Sequence, residues 1–362
     1  RVHGPILRGD ATFRIGNLKR KFHFFRTFVL LKKASYDPFR IGRVPSEQNV
    51  PGPHTSLSPT MKSLPRTLTR GLRALSLGLL SLCIAGTSLA ADLKEIKSQG
   101  VLRHLGIKYA NFVKADGTGF DVELVKGFAR HIGVRYELVY TNFYDVIRDM
   151  LGKNVVRNGD TVTLEGNFPV RGDMIATGFT VLPWRQKVVL YSQPTFPSQV
   201  LLVARKDSPY SPVPAQPTLA AEIAKTNEVL GKHSLLVMER TCLDPANYGL
   251  KGKGVDLRAY SASSNLDEMV PELLKGEVDF TLLDVPDAVI DLQRWAGRIK
   301  VIGPISEHQE LAAAFPPSSP ELRAAFDEYL RGIRADGTYD KLVNSYYPGI
   351  RRYFPGFFAR KP

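Results

Sequence analysis

Gly178, Thr180 and Arg185 stand close together in the stretch Asp173–Arg205. They offer a bare backbone, a hydroxyl and a guanidinium. A planar guanidinium bonds a carboxylate through two parallel N–H groups, so this trio suits capture of a small carboxylate. An exposed turn whose arginine is merely solvated has the same residue types. Other chemistry has less support. His104, His131, His233 and His308 lack metal-ligand spacing, and Cys242 sits between Thr241 and Leu243 with no nucleophile motif around it. Neither a phosphate-cradling loop nor a nucleophile triad is present. We therefore expect no cofactor, no metal and no covalent catalysis.

The elements that must position the trio follow from apolar periodicity. Met174-Ile175-Ala176 reads as a buried strand bounded by Gly178, and Val188–Tyr191 and Val200–Val203 as two further strands. Upstream, the pattern predicts a short helix over 91–99, a strand over 101–107, a helix from about 121 to 132 with Asp121 as its cap, a strand over 136–140 and a helix over 143–151. An Asn158-Gly159 pair between Val155–Arg157 and Thr161–Leu164 predicts a hairpin within 153–172. Downstream come a helix over 219–230, a strand over 235–238, a helix over 265–275, a strand over 278–283, strands at 299–302 and 311–315, a helix over 320–334 and a last helix from about 335.

The segment Gly178-Phe179-Thr180-Val181-Leu182-Pro183-Trp184-Arg185, followed by Val188, Tyr191-Ser192 and Pro194, resembles the signature of family 3 extracellular solute-binding proteins, the periplasmic receptors of amino-acid ABC transporters. Gly119–Leu124 upstream and Gly276–Asp284 downstream resemble two further blocks of that family, in the same order. The resemblance runs from about Leu93 to Tyr347. The chain departs from the pattern at Leu182, Tyr191 and Thr195, and in the insertion at 153–172.

The resemblance implies an α/β fold, the two-lobed periplasmic-binding-protein fold (type II) with a ligand cleft between the lobes. It implies that Gly178, Thr180 and Arg185 hold a ligand carboxylate and that Asp284 receives an ammonium; a helix-capping role for Asp284 also fits the sequence. Thr241 matches the second lobe's Gly-Thr loop, where Arg240 replaces the usual glycine and would crowd the pocket or read an acidic group. Tyr109 and Phe112 could wall the ligand or pack in the core, and Lys108 could read a second acid group.

Lobe 1 is expected to combine 92–203 with 301–362, and lobe 2 to be 204–300. Residues 1–60 read as a basic leader, expected to be translated upstream sequence with Met61 as the start, and 61–90 as a cleaved secretory signal peptide, which implies that the remainder is periplasmic. Residues 1–90 hold 15 Lys and Arg against 3 Asp and Glu, leaving 34 against 32 elsewhere, so the net charge of +14 belongs to the leader and nucleic-acid binding is not expected. The expected protein is a monomer and not an enzyme. It captures an amino acid or related carboxylate and hands it to an ABC transporter permease. Three other readings stay open, one of them a receptor for a different solute, such as a dicarboxylate or a cofactor precursor, suggested by Lys108 and Arg240. Residues 273–358 resemble the binding domain of F-type murein lytic transglycosylases, which suggests a sensory module. Periplasmic cyclohexadienyl dehydratases resemble the same receptors, but the acidic residue they use in the Gly-Thr loop is not matched at Leu243.

Overall fold

The computed structural model describes residues 91–159 and 161–359. The leader and signal-peptide readings lie outside those residues. Among the described residues, no helix is long and apolar enough to cross a membrane.

Two five-stranded mixed sheets form the frame. In the first, β1 (Val101–Ile107) pairs in parallel with β2 (Arg135–Thr141) and β5 (Met174–Ile175), while β14 (Ala314–Phe315) runs antiparallel to β5 and to β6 (Leu190–Tyr191). In the second, β9 (Ser234–Val237) pairs in parallel with β10 (Asp256–Ala259) and β11 (Phe280–Asp284), and β8 (Val200–Arg205) runs antiparallel to β11 and β12 (Ile299–Pro304). Between them, β7 (Phe196–Ser198) and β13 (Gln309–Leu311) form a two-stranded antiparallel ladder.

The expected lobe boundaries cut through strands. Both Val200–Arg205 and Ile299–Pro304 belong to the second sheet, so the chain crosses at β7 and returns through β13. Their apolar pattern shows only burial, and their partners are remote in sequence. For the same reason the single strand expected over 311–315 divides, with β13 in the crossing ladder and β14 in the first sheet.

The helices start where local chemistry sets them. Thr218 caps Leu219–Leu230 by accepting the Ala221 amide at 3.2 Å. The expected 143–151 helix begins only at Val146, because the Asn142 side chain takes the Tyr144 and Asp145 amides into a turn. The hairpin forms from β3 (Asn154–Asn158) and β4 (Thr161–Glu165), with Asn158, expected in the turn, paired instead to Thr161. Leu102, Leu105, Phe120, Leu124, Phe128 and Phe326 are buried in the first lobe's core. Burying each such side chain contributes roughly 1.5–3 kcal/mol.

Candidate functional site

The segment after β5 is pinned residue by residue. Thr177 satisfies both backbone groups of Ile107 with its hydroxyl, accepting at 3.0 Å and donating at 2.9 Å. Gly178 has φ +60, and a side chain there would bring its Cβ 2.5 Å from the Phe112 ring. Its amide donates to Asp121 Oδ2 at 2.6 Å. Asp121 is therefore not the cap of its own helix, Phe120–His131, which starts at Gly119 without a side-chain cap. The Phe179 carbonyl accepts from the Ala312 amide at 3.0 Å, and Thr180 bridges to Leu311.

Arg185 opens a short 3-10 turn, Arg185–Lys187, and folds back over this segment. Its Nη1 donates to the Thr180 carbonyl at 3.0 Å, which also accepts the Tyr191 hydroxyl at 3.0 Å. The guanidinium lies 4.0 Å from the centre of the Phe179 ring and 5.2 Å from that of Trp184. Arg185 is 2 % exposed, and its Nε has no hydrogen-bond partner among the described residues. The described residues also place no carboxylate in ion-pair contact with it. A buried cation without a counter-charge is costly, and an incoming anion would offset that cost.

The second lobe presents carboxylates. Asp284 ends β11 and caps the helix Val285–Arg294, accepting the Asp287 amide at 3.3 Å. It is buried, and burial pushes its carboxyl up to about 6, opposed by hydrogen bonds from Tyr109, the Asp287 amide and Cys242. The Tyr109 hydroxyl acts on it from the first lobe and is in turn raised by burial and by Asp284. The Cys242 thiol lies 3.9 Å from Asp284 Oδ2. Burial raises this thiol, Asp284 raises it further, and Arg185 pulls it down. Tyr248 likewise is raised by burial and feels both Asp284 and Arg185. The cation of one lobe and the carboxylate of the other thus flank Cys242 and Tyr248. Behind them, Asp287 is raised by burial and then by Asp291 and Asp284; Asp287 Oδ2 and both Asp291 oxygens lack hydrogen-bond partners among the described residues, and Asp291 Oδ1 meets Arg294 at 3.7 Å.

The structure gathers Gly178, Thr180, Arg185, Tyr109 and Asp284. The other expected residues sit elsewhere. Phe112 is buried among Phe120, Phe196 and Tyr347, behind Gly178. Lys108 is exposed, with Nζ 5.2 Å from the centre of the Tyr140 ring. Thr241 spends its hydroxyl within its own loop, donating to Met238 at 2.7 Å and accepting from Leu243 at 3.0 Å. Arg240 does not enter the pocket. Its backbone is left-handed, φ +62, and its side chain runs out to the Tyr144 carbonyl at 3.2 Å and over that ring at 4.9 Å. Sequence reasoning assigned no site role to Asp121, Cys242 or Tyr248. Asp121 had a signal, its place in the Gly119–Leu124 block. Tyr248 had none.

Residues 170–349 match the family model for bacterial extracellular solute-binding proteins, family 3. The lysine/arginine/ornithine-binding periplasmic protein of Escherichia coli (strain K12) is 27 % identical over 275 residues, covering 73 % of this chain and 94 % of that protein. A membrane-bound lytic murein transglycosylase F of Desulfosudis oleivorans is 25 % identical over 263 residues, covering 72 % of this chain but 51 % of that protein. The chain therefore spans about half the length of that transglycosylase. Among solved structures, the P235GK mutant of ArgBP from T. maritima aligns with a TM-score of 0.56 and 25 % identity, covering 70 % of this chain and 98 % of that one. The ancestral amino acid-binding protein AncCDT-1, a precursor of cyclohexadienyl dehydratase, aligns with a TM-score of 0.54 and 26 % identity, over 70 % of this chain and 98 % of that one. Residues 170–349 thus match the family 3 extracellular solute-binding model, and the two sheets of the described residues have the two-lobed type II periplasmic-binding-protein fold.

Proposed function

We propose that the chain is a periplasmic receptor that captures a small carboxylate-bearing solute, an amino acid or a relative of one, and delivers it to an ABC transporter. The observation that carries this reading is the buried Arg185 guanidinium, held by a neutral carbonyl and left with an orphaned Nε. A ligand carboxylate supplies the missing counter-charge. Asp284, whose carboxyl lies close enough to Tyr109 of the first lobe to raise its hydroxyl, takes the ligand ammonium from the second lobe. Contacts to both lobes favour the closed arrangement, because a ligand shifts the equilibrium by its differential affinity for the two states. No covalent step is involved, and the protein acts as a monomeric binding protein rather than an enzyme.

The test is thermal unfolding and calorimetry of the full chain against L-amino acids, small diacids and muropeptides, with Arg185→Ala as control. A ligand at a hundred times its dissociation constant adds about 2.7 kcal/mol. A shift in the wild type that the variant loses supports the reading. Equal shifts in both proteins, or no shift at all, refute it. A second reading, a sensory module without a transporter, rests on the similarity to the transglycosylase F proteins; binding of muropeptides but of no free amino acid would favour it.

A further inference from the structure

We propose that Asp121 is a positioning residue for the anion site: from the helix Phe120–His131 it holds the Gly178 amide, and through it sets Phe179, Thr180 and the Arg185 guanidinium. The inference rests on the reading of Arg185 as the carboxylate-binding group and extends it to a residue that meets no ligand.

Asp121 is 2 % exposed and does not cap its own helix. Its Oδ2 accepts one bond, from the Gly178 amide at 2.6 Å, and its Oδ1 has no partner among the described residues. A carboxyl buried for a single backbone bond is an expensive acceptor, and burial drives it up to about 7 against the lowering pull of the Gly178 amide. Costly groups of this kind persist where they fix a local geometry.

That geometry is a peptide plane. Up to Thr177 the segment is tied to β1, through the Ala176 amide on the Leu105 carbonyl and the Thr177 hydroxyl on Ile107. From Phe179 onward it is tied to the returning chain at Leu311 and Ala312. The peptide between Thr177 and Gly178 turns its N–H away from both, to the helix. Glycine accepts either hand of backbone, so this plane is the one position in the segment free to flip. A flip would move the Phe179 ring, which stacks under Arg185 at 4.0 Å, and the Thr180 carbonyl, which takes Nη1 at 3.0 Å. The Asp121 bond prevents it.

The test compares Asp121→Ala and Asp121→Asn in the full chain. One arm measures amide hydrogen exchange of residues 176–182 without ligand. The other measures calorimetric affinity for L-arginine, L-glutamine and L-glutamate as probes. Asp121→Ala is expected to raise exchange at 178–180 about tenfold beyond any rise elsewhere in the first lobe, and to weaken whichever probe binds by about tenfold. Asp121→Asn, whose amide oxygen accepts the same N–H, is expected to restore both to within about threefold. Wild-type exchange rates at 178–180 in Asp121→Ala overturn the proposal, and so does Asp121→Asn behaving like Asp121→Ala. An arm without variants guards against misfolding: in the wild type the Gly178 amide must exchange slowly although it lies outside every strand, and fast exchange there also overturns it. If no probe binds the wild type while the exchange arm behaves as expected, the receptor reading for those solutes fails and the Asp121 tie stands.

Discussion

Tyr109, just past the end of β1, is electrostatically coupled to Asp284 at the end of β11: burial and then the Asp284 carboxylate raise the tyrosine hydroxyl. Tyr109 follows a strand of the first sheet and Asp284 ends a strand of the second, so the pair spans the two lobes. The buried carboxylate itself holds a backbone amide, from Asp287 at 3.3 Å, and a weak thiol contact, from Cys242 at 3.9 Å. Arg185, facing the same region from the first lobe, has no such compensation.

That asymmetry predicts a trade between stability and binding. Arg185→Met replaces a buried, incompletely bonded cation by an apolar chain of similar length. Urea unfolding without ligand should show a gain of roughly 1–3 kcal/mol. Any ligand-induced shift present in the wild type should vanish. A loss of stability in this variant would show that Thr180, Phe179 and Tyr191 satisfy the guanidinium by themselves.

Arg240 makes a second prediction. Its φ of +62 strains any residue but glycine, while its side chain bridges to Tyr144 of the other lobe. Arg240→Ala loses the bridge and keeps the strain, whereas Arg240→Gly loses the bridge and relieves the strain. The glycine variant should be the more stable of the two by about 1 kcal/mol in chemical denaturation. Both should open the lobes equally, read as the same increase in radius of gyration by small-angle scattering.

The third prediction concerns pH. Asp121 titrates near 3.8 when unfolded and at about 7 when folded, because burial disfavours its charge. The unfolded chain therefore releases this proton first, and the contribution to stability is full below about 4 and is lost as pH rises through about 7. His104 works in the opposite sense. Burial lowers it from 6.5 to about 4, so its contribution is lost as pH falls through that window. The difference between wild type and Asp121→Asn isolates the first effect. Between pH 4 and 7 the wild type should lose stability relative to the variant by about 1.4 kcal/mol per pH unit. Parallel stability curves would show that Asp121 keeps an ordinary carboxylate value.

The sequence by itself determined the secondary elements whose signals are local. Val101–Ile107 and Leu219–Leu230 fall where their apolar patterns place them. It also carried the motif order from which the two-lobed fold was expected, since Gly119–Leu124, Gly178–Arg185 and Gly276–Asp284 can be read without knowing what they touch. Only the tertiary structure decided which sheet Val200–Arg205 and Ile299–Pro304 join, because a strand buried on both faces does not encode its neighbours. Only it separated Arg185, Tyr109 and Asp284, which converge, from Arg240 and Lys108, which run to the rim, and from Phe112, which packs in the core. Side-chain direction depends on long-range packing and on backbone hand: Arg240 points outward because its left-handed residue is tied to Asp244 and Tyr144. Asp121 looked like a helix cap because its distance to Gly178 in space leaves no trace in their separation along the chain.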